Sequence, residues 1–141
     1  PGFMVGPDSE KEGAFRRMGE LFKHGARIKT PLVGIILRRG YGLGAMAMMG
    51  GSFVDPIYSA SWPNGEFGGM GLEGYVKLGF KKELEAEETE EKKKALFDKL
   101  VARMYEVGKA TEAAAHLEMD AVIDPASTRE TILKAFKSFG A

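Results

Sequence analysis

Apolar residues near the start of the chain fall at helical intervals. Ala14, Phe15, Met18, Leu21, Phe22, Ala26 and Ile28 follow one helix face. Ahead of them Pro7-Asp8-Ser9, with Glu10 and Glu12, reads as a helix start capped by Asp or Ser. The spacing predicts one helix from there to Thr30, stopped by Pro31, while Pro1 to Gly6 reads as a short strand or loop. Gly13, Gly19 and Gly25 lie inside that helix, each costing up to ~1 kcal/mol relative to Ala. Close approach of another backbone is the expected reason for them. Pro31 to Leu37 is a continuous apolar run, which predicts a strand buried on both faces. Arg38 to Gly44 reads as a turn, and Ala45 to Met49 as a short apolar helix ending at Gly50-Gly51. Ile57 to Trp62 predicts a second strand, Phe67 a brief third, and Leu72 to Phe80 a helix. From Glu83 the pattern turns to charge. Glu87, Glu88, Glu90 and Glu91 precede Lys92, Lys93 and Lys94, which suits i,i+3 and i,i+4 pairing on a solvated helix face. The stripe Leu96, Leu100, Met104, Val107 continues this helix toward Leu117. Ala121 to Ile123 reads as a late strand ended by Asp124-Pro125, and Ser127 or Thr128, with Glu130, as the cap of a last helix to Phe139. Strands alternating with helices define an α/β class.

Composition narrows the chemistry. Twenty basic and 20 acidic side chains give zero formal charge, with no long-range pull toward nucleic acid or an anionic membrane. The absence of cysteine excludes a disulfide framework, a thiol nucleophile and a cysteine zinc site. No apolar run approaches the ~20 residues of a membrane span, and no signal-peptide pattern is present. With 141 residues the chain is one domain or a piece of one. Its opening on Pro1 and the apolar Phe3-Met4-Val5 reads as a start inside a domain. A cytoplasmic protein, or a fragment of one, is expected.

Glycine changes the picture most. Seventeen of 19 glycines lie in the first 80 residues, between apolar stretches and without a fixed repeat. The most suggestive group is Tyr41-Gly42-Leu43-Gly44-Ala45, between a buried strand and a helix start. Amides at such a place point outward unpaired and can hold an anion or a developing oxyanion. The third glycine of a dinucleotide fingerprint and the Lys-Ser/Thr of a phosphate loop are both missing. Taken alone, the turn is equally readable as a tight structural turn. Gly68-Gly69-Met70-Gly71 is a second turn of the same kind, and Met46, Met48, Met49 and Phe53 read as core. His24 and His116 lack the Ser and Asp neighbours of a triad and read as surface or capping residues.

Several blocks together resemble one family. Pro1-Gly2-Phe3-Met4-Val5-Gly6 is similar to the Pro-Gly-Phe-x-x-Gly segment of the carboxyltransferase (beta) subunits of biotin-dependent acyl-CoA carboxylases. Arg38-Arg39-Gly40-Tyr41-Gly42-Leu43-Gly44-Ala45 resembles the turn that follows it in that family. Trp62-Pro63-Asn64-Gly65-Glu66, Gly69-Met70-Gly71-Leu72-Glu73-Gly74, and Val122-Ile123-Asp124-Pro125 with Thr128-Arg129 match later blocks in order. The likeness spans essentially the whole chain.

The resemblance implies a crotonase-like fold of stacked ββα units, with residues 1–141 as a C-terminal carboxyltransferase subdomain of a two-half enzyme. It implies transfer of a carboxyl group from carboxybiotin to the α-carbon of an acyl-CoA. In the family this half receives biotin on its carrier and the other half binds acyl-CoA. The implied catalytic groups are the backbone amides of Leu43 and Gly44. Gly2, Phe3, Gly6, Tyr41, Gly42 and Ala45 are the implied cofactor-binding residues. Met46 stands where propionyl-type enzymes carry an acid, which argues against a propionyl preference and marks Met46 as a specificity position. Leu43 replaces the second glycine of the commoner turn, narrowing access without removing a donor. The implied partners are the N-terminal half, the biotin carboxyl carrier and biotin carboxylase components, and further copies in a dimer or trimer of dimers. Nucleic acid, membrane and metal are not expected. Two other readings stay open at this point: a biotin-dependent decarboxylase, and a non-catalytic assembly module.

Overall fold

A computed structural model describes residues 2–4 and 6–140. Pro1 and Val5 of the predicted opening segment therefore lie outside the described residues. The predicted first helix is two helices, α1 (Pro7–Lys11) and α2 (Ala14–Gly25). Gly13 between them is left-handed at φ 76°, a conformation only glycine adopts freely, so the chain turns there. Neither Asp8 nor Ser9 caps α1; Gly6 precedes it and Pro7 opens it. The close-approach reason holds at Gly25, where a Cβ would run into the Gly50 carbonyl, and fails at Gly13 and Gly19, which face open space.

The centre of the molecule is a repeated strand–strand–helix turn. The first unit is β1 (Val33–Ile36), β2 (Arg39–Tyr41) and α3 (Gly42–Met48). The second is β3 (Tyr58–Ser61), β4 (Glu66–Gly68) and α4 (Leu72–Gly79). β1 pairs parallel with β3, Ile36 opposite Ser61, an offset of 25 residues. β2 pairs parallel with β4, Arg39 opposite Glu66. Each unit thus contributes one strand to each of two sheets. The repetition is one of backbone path; the side chains differ, so no sequence period betrays it. Arg38 to Gly44, expected to be only a turn, contains β2 and the first helical residues. β1 is buried only at alternate positions, so one of its faces is less covered than the other, and it lies at the edge of its sheet.

α5 (Lys81–Glu85) and α6 (Glu90–Val107) carry the charged run, and Thr89 caps α6 by accepting from the Lys92 amide at 3.2 Å. The long helix ends at Gly108 rather than running to Leu117. The Phe67 amide donates to the Gly108 carbonyl, and a Cβ at Gly108 would sit 2.5 Å from the Phe67 carbonyl oxygen. That contact with β4 breaks the helix, and α7 (Ala110–Ala115) restarts it. β5 (Ala121–Val122) then adds to β3, giving the order β1-β3-β5. At the next turn the Asp124 carboxylate, not Ser127 or Thr128, caps by accepting from the Ala126 amide at 2.7 Å. α8 (Thr128–Phe139) closes the chain. Ile36, Met49, Phe67, Ala110, Ala113 and Met119 form the buried core under the two strand–helix turns. No helix among the described residues is long and apolar enough to cross a membrane.

Candidate active site

The two glycine turns meet. β2 runs straight into α3 through Gly42, which is left-handed at φ 56°. A Cβ there would lie 2.5 Å from the Gly69 carbonyl oxygen of the second turn. Both conformation and space therefore demand glycine at this position. The turn leaves the Leu43 and Gly44 amides in the first helical turn, where intrahelical partners are lacking. No backbone acceptor among the described residues takes either amide.

Gly44 is buried under the N-terminal segment. A Cβ on it would stand 2.7 Å from Gly2 Cα and 3.1 Å from the Phe3 nitrogen. The Phe3 ring packs on Phe22 of α2 with centroids 6.4 Å apart, which pins that segment. The structure thus brings Gly2, Phe3, Gly42, Leu43 and Gly44 together. Gly6 stands at the head of α1, and the Ala45 methyl points into the core. Met46 lines a cleft together with Gly42. His24 and His116 are both exposed.

Tyr41 also has a structural task at this turn. Its hydroxyl donates to Glu66 Oε2 at 2.6 Å, across the β2–β4 pairing. Glu66 also faces Arg39 Nε at 3.5 Å and Arg38 Nε at 3.9 Å. Burial, then the hydrogen bond to Glu66 and its negative charge, push Tyr41 ionisation well above the ordinary tyrosine range. Tyr41 is therefore a neutral donor that ties the entry of α3 to β4. Sequence reasoning missed this role for Arg39 and Glu66. The signal available was a pair of opposite charges at the first position of each short strand.

Between the turns lies a cleft of about 550 Å³, with Gly42, Met46, Ser52, Phe53, Leu117 and Glu118 among the residues on its walls. Phe53 packs edge-to-face on Phe67, centroids 5.6 Å apart at 85°.

Two ββα units stacked through parallel pairing of their strands, β1 with β3 and β2 with β4, define a crotonase-like α/β fold. The chain belongs to the carboxyl transferase domain family, whose model matches residues 1–139. It is 30% identical over 140 residues to the methylmalonyl-CoA carboxyltransferase 12S subunit of Propionibacterium freudenreichii subsp. shermanii, spanning 99% of this chain and 26% of that subunit. It is 31% identical to a putative propionyl-CoA carboxylase beta chain of Bacillus subtilis, covering 96% of this chain and 26% of that one. The solved transcarboxylase 12S, with methylmalonyl-CoA and methylmalonic acid bound, matches with a TM-score of 0.85 at 28% identity, over 99% of this chain and 26% of that chain. A single-chain, multi-domain long-chain acyl-CoA carboxylase matches with a TM-score of 0.80 at 53% identity, over 96% of this chain and 13% of that one. The chain spans about a quarter of the length of the curated relatives it matches.

Proposed function

We propose that this chain is part of the C-terminal portion of a biotin-dependent acyl-CoA carboxyltransferase, and that its Leu43 and Gly44 amides bind the cofactor's ureido oxygen. The observation that carries the reading is this pair of amides without a backbone acceptor, at a turn only glycine can make. The donor set fits the group: two neutral N–H donors suit an oxygen that gains negative charge, while the nearby arginines are engaged with Glu66. Biotin, when bound, supplies the carboxyl group and, once that has left, a ureido nitrogen basic enough for the acyl α-proton. The chain's own residues then have three tasks. Leu43 and Gly44 stabilise the oxyanion as it develops. Gly42, Tyr41 and Glu66 fix the amides before the reaction, so no reorganisation is needed during it. Gly2 and Phe3 cover Gly44 and hold the helix start in place. No side-chain nucleophile is required, which agrees with the lack of cysteine and the exposure of both histidines.

The 53% identity to a long-chain acyl-CoA carboxylase, and Met46 in place of an acid, support a long acyl-CoA as the substrate. The hexamer named for the 12S relative supports a site completed by other copies and by the N-terminal half. The carrier and biotin carboxylase components are the expected partners.

The test uses the full-length protein with its carboxylated carrier. Carboxyl transfer to acyl-CoA, followed by mass spectrometry, is expected for the parent. Gly42→Ala should lower kcat about 100-fold, the effect of losing one oxyanion donor, with oligomeric state unchanged. A parent that carboxylates no acyl-CoA would sink the proposal. So would a Gly42→Ala variant with parental kcat, or one whose only defect is failed assembly.

A further inference from the structure

α3 is seven residues long, too short to hold its own position, so the place of its first amides is set by what packs around it. One face of α2 reaches both of its ends. Gly25 lies against the backbone of Gly50, two residues past the end of α3. Phe22, three residues before Gly25 and on the same helix face, reaches the start of α3 indirectly. Its ring packs on Phe3, with centroids 6.4 Å apart and planes tilted by 58°. Phe3 in turn belongs to the backbone that covers Gly44, where a Cβ would stand 2.7 Å from Gly2 Cα and 3.1 Å from the Phe3 nitrogen. An unbroken line of contact thus runs from Phe22 through Phe3 and Gly2 to Gly44.

The middle of that line depends on its one aromatic pair. Among the described residues no backbone hydrogen bond involves Gly2, Phe3 or Met4. Met4 is 77% exposed and anchors nothing. Phe3 is half-buried on Phe22, so its ring is the side chain placed to hold the segment against Gly44. Phe22 is also half-buried, while Phe15 and Leu21 of the same helix are exposed. α2 therefore turns Phe22 inward, toward the segment that covers the donor.

We propose that Phe22 is a positioning residue for carboxyl transfer: acting through Phe3 and Gly2, its ring holds the Gly44 amide where it receives the ureido oxygen. The inference rests on the carboxyltransferase reading above. A donor fixed before the reaction is effective only in the right place, and a misplacement of about 1 Å can cost ~100-fold in rate. Phe22 acts at one remove, so its truncation should cost less than that.

The experiment measures carboxyl transfer by the full-length protein with its carboxylated carrier, with kcat expressed per folded molecule. Phe22→Ala is expected to lower kcat about tenfold and to leave KM for acyl-CoA unchanged. Gly19→Ala, on the same helix with nothing near its missing Cβ, separates position from stability. Added to Phe22→Ala, it should raise the melting temperature without restoring kcat. A double-mutant cycle with Phe3→Ala tests the route. If Phe22 acts through Phe3, the double variant has the kcat of Phe3→Ala alone. Phe22→Leu keeps an apolar group on that face and enters the same cycle where the alanine variant fails to fold. Parental kcat in the Phe22 variant, recovery of kcat with Gly19→Ala, or additive losses in the cycle would each overturn the assignment while leaving the carboxyltransferase reading intact. A parent that carboxylates no acyl-CoA would instead overturn that reading.

Discussion

Glu66 holds three partners at once. It accepts from Tyr41 and faces two arginines, while its own backbone is in β4. Removing the hydroxyl in Tyr41→Phe should cost about 1.5 kcal/mol, the low end for a hydrogen bond to a charged group, because these side chains keep some water contact. Denaturant midpoints check it. The same pair sets a pH dependence. Tyr41 is neutral in the fold and its ionisation is raised, so its stabilising contribution is complete below the unfolded tyrosine value of about 10. The contribution is lost as the pH climbs from there toward the raised folded value. Ultraviolet titration of the four tyrosines should show one that ionises last, absent in Tyr41→Phe. Glu66→Gln should bring that titration only partway back, because burial is the largest cause and remains. The importance of Gly42 was legible in the sequence, since a strand, a glycine and an apolar helix stood side by side. The Tyr41–Glu66 link was not, because it joins residues 25 positions apart through a strand pairing that no local pattern announces.

Elements were legible where periodicity was strong, and their ends were misread where tertiary contact decides. α4, β3 and α8 fall where the pattern puts them. The breaks at Gly13 and Gly108 do not, and for different reasons. Gly13 needs a left-handed backbone, whereas Gly108 is needed because β4 passes against it. Asp124 was read as a terminator and is also the cap, since its carboxylate reaches the Ala126 amide. The glycines of α2 offer a direct comparison. Gly25 abuts the Gly50 backbone, so Gly25→Ala must push α2 away from the end of α3 and should destabilise by about 1–3 kcal/mol. Gly19 is exposed with nothing near its missing Cβ, so Gly19→Ala should stabilise by roughly 0.5–1 kcal/mol through helix propensity alone. Opposite signs from one substitution in one helix would separate packing from propensity; equal signs would refute the close approach. If that approach is lost, the helix bearing the candidate amides loses a support at its far end.

At the scale of the molecule, size and burial point in opposite directions. α6 is the longest helix, 18 residues, yet none of its residues is buried. β3 has four residues, three of them buried, and it is hydrogen-bonded on both sides by β1 and β5. Its serines are tied as well: Ser61 Oγ donates to the Ile36 carbonyl, and the Ser59 amide donates to the Asp120 carboxylate at 2.7 Å. Local opening is governed by buried contact and not by helix length, with free energies running from about zero at exposed elements up to the global value in the core. Amide exchange followed by mass spectrometry should therefore find β3 the slowest segment and α6 faster, despite its unbroken ladder of bonds. The turn at Gly42 should fall between them, anchored to β4 but with two amides lacking acceptors. Addition of biotin should slow exchange at Leu43 and Gly44 first, because those are the donors it would engage. If α6 outlasts β3, the strand-centred account of stability is wrong. If biotin protects other segments and leaves the turn unchanged, the assignment of the Leu43 and Gly44 amides to the cofactor is wrong.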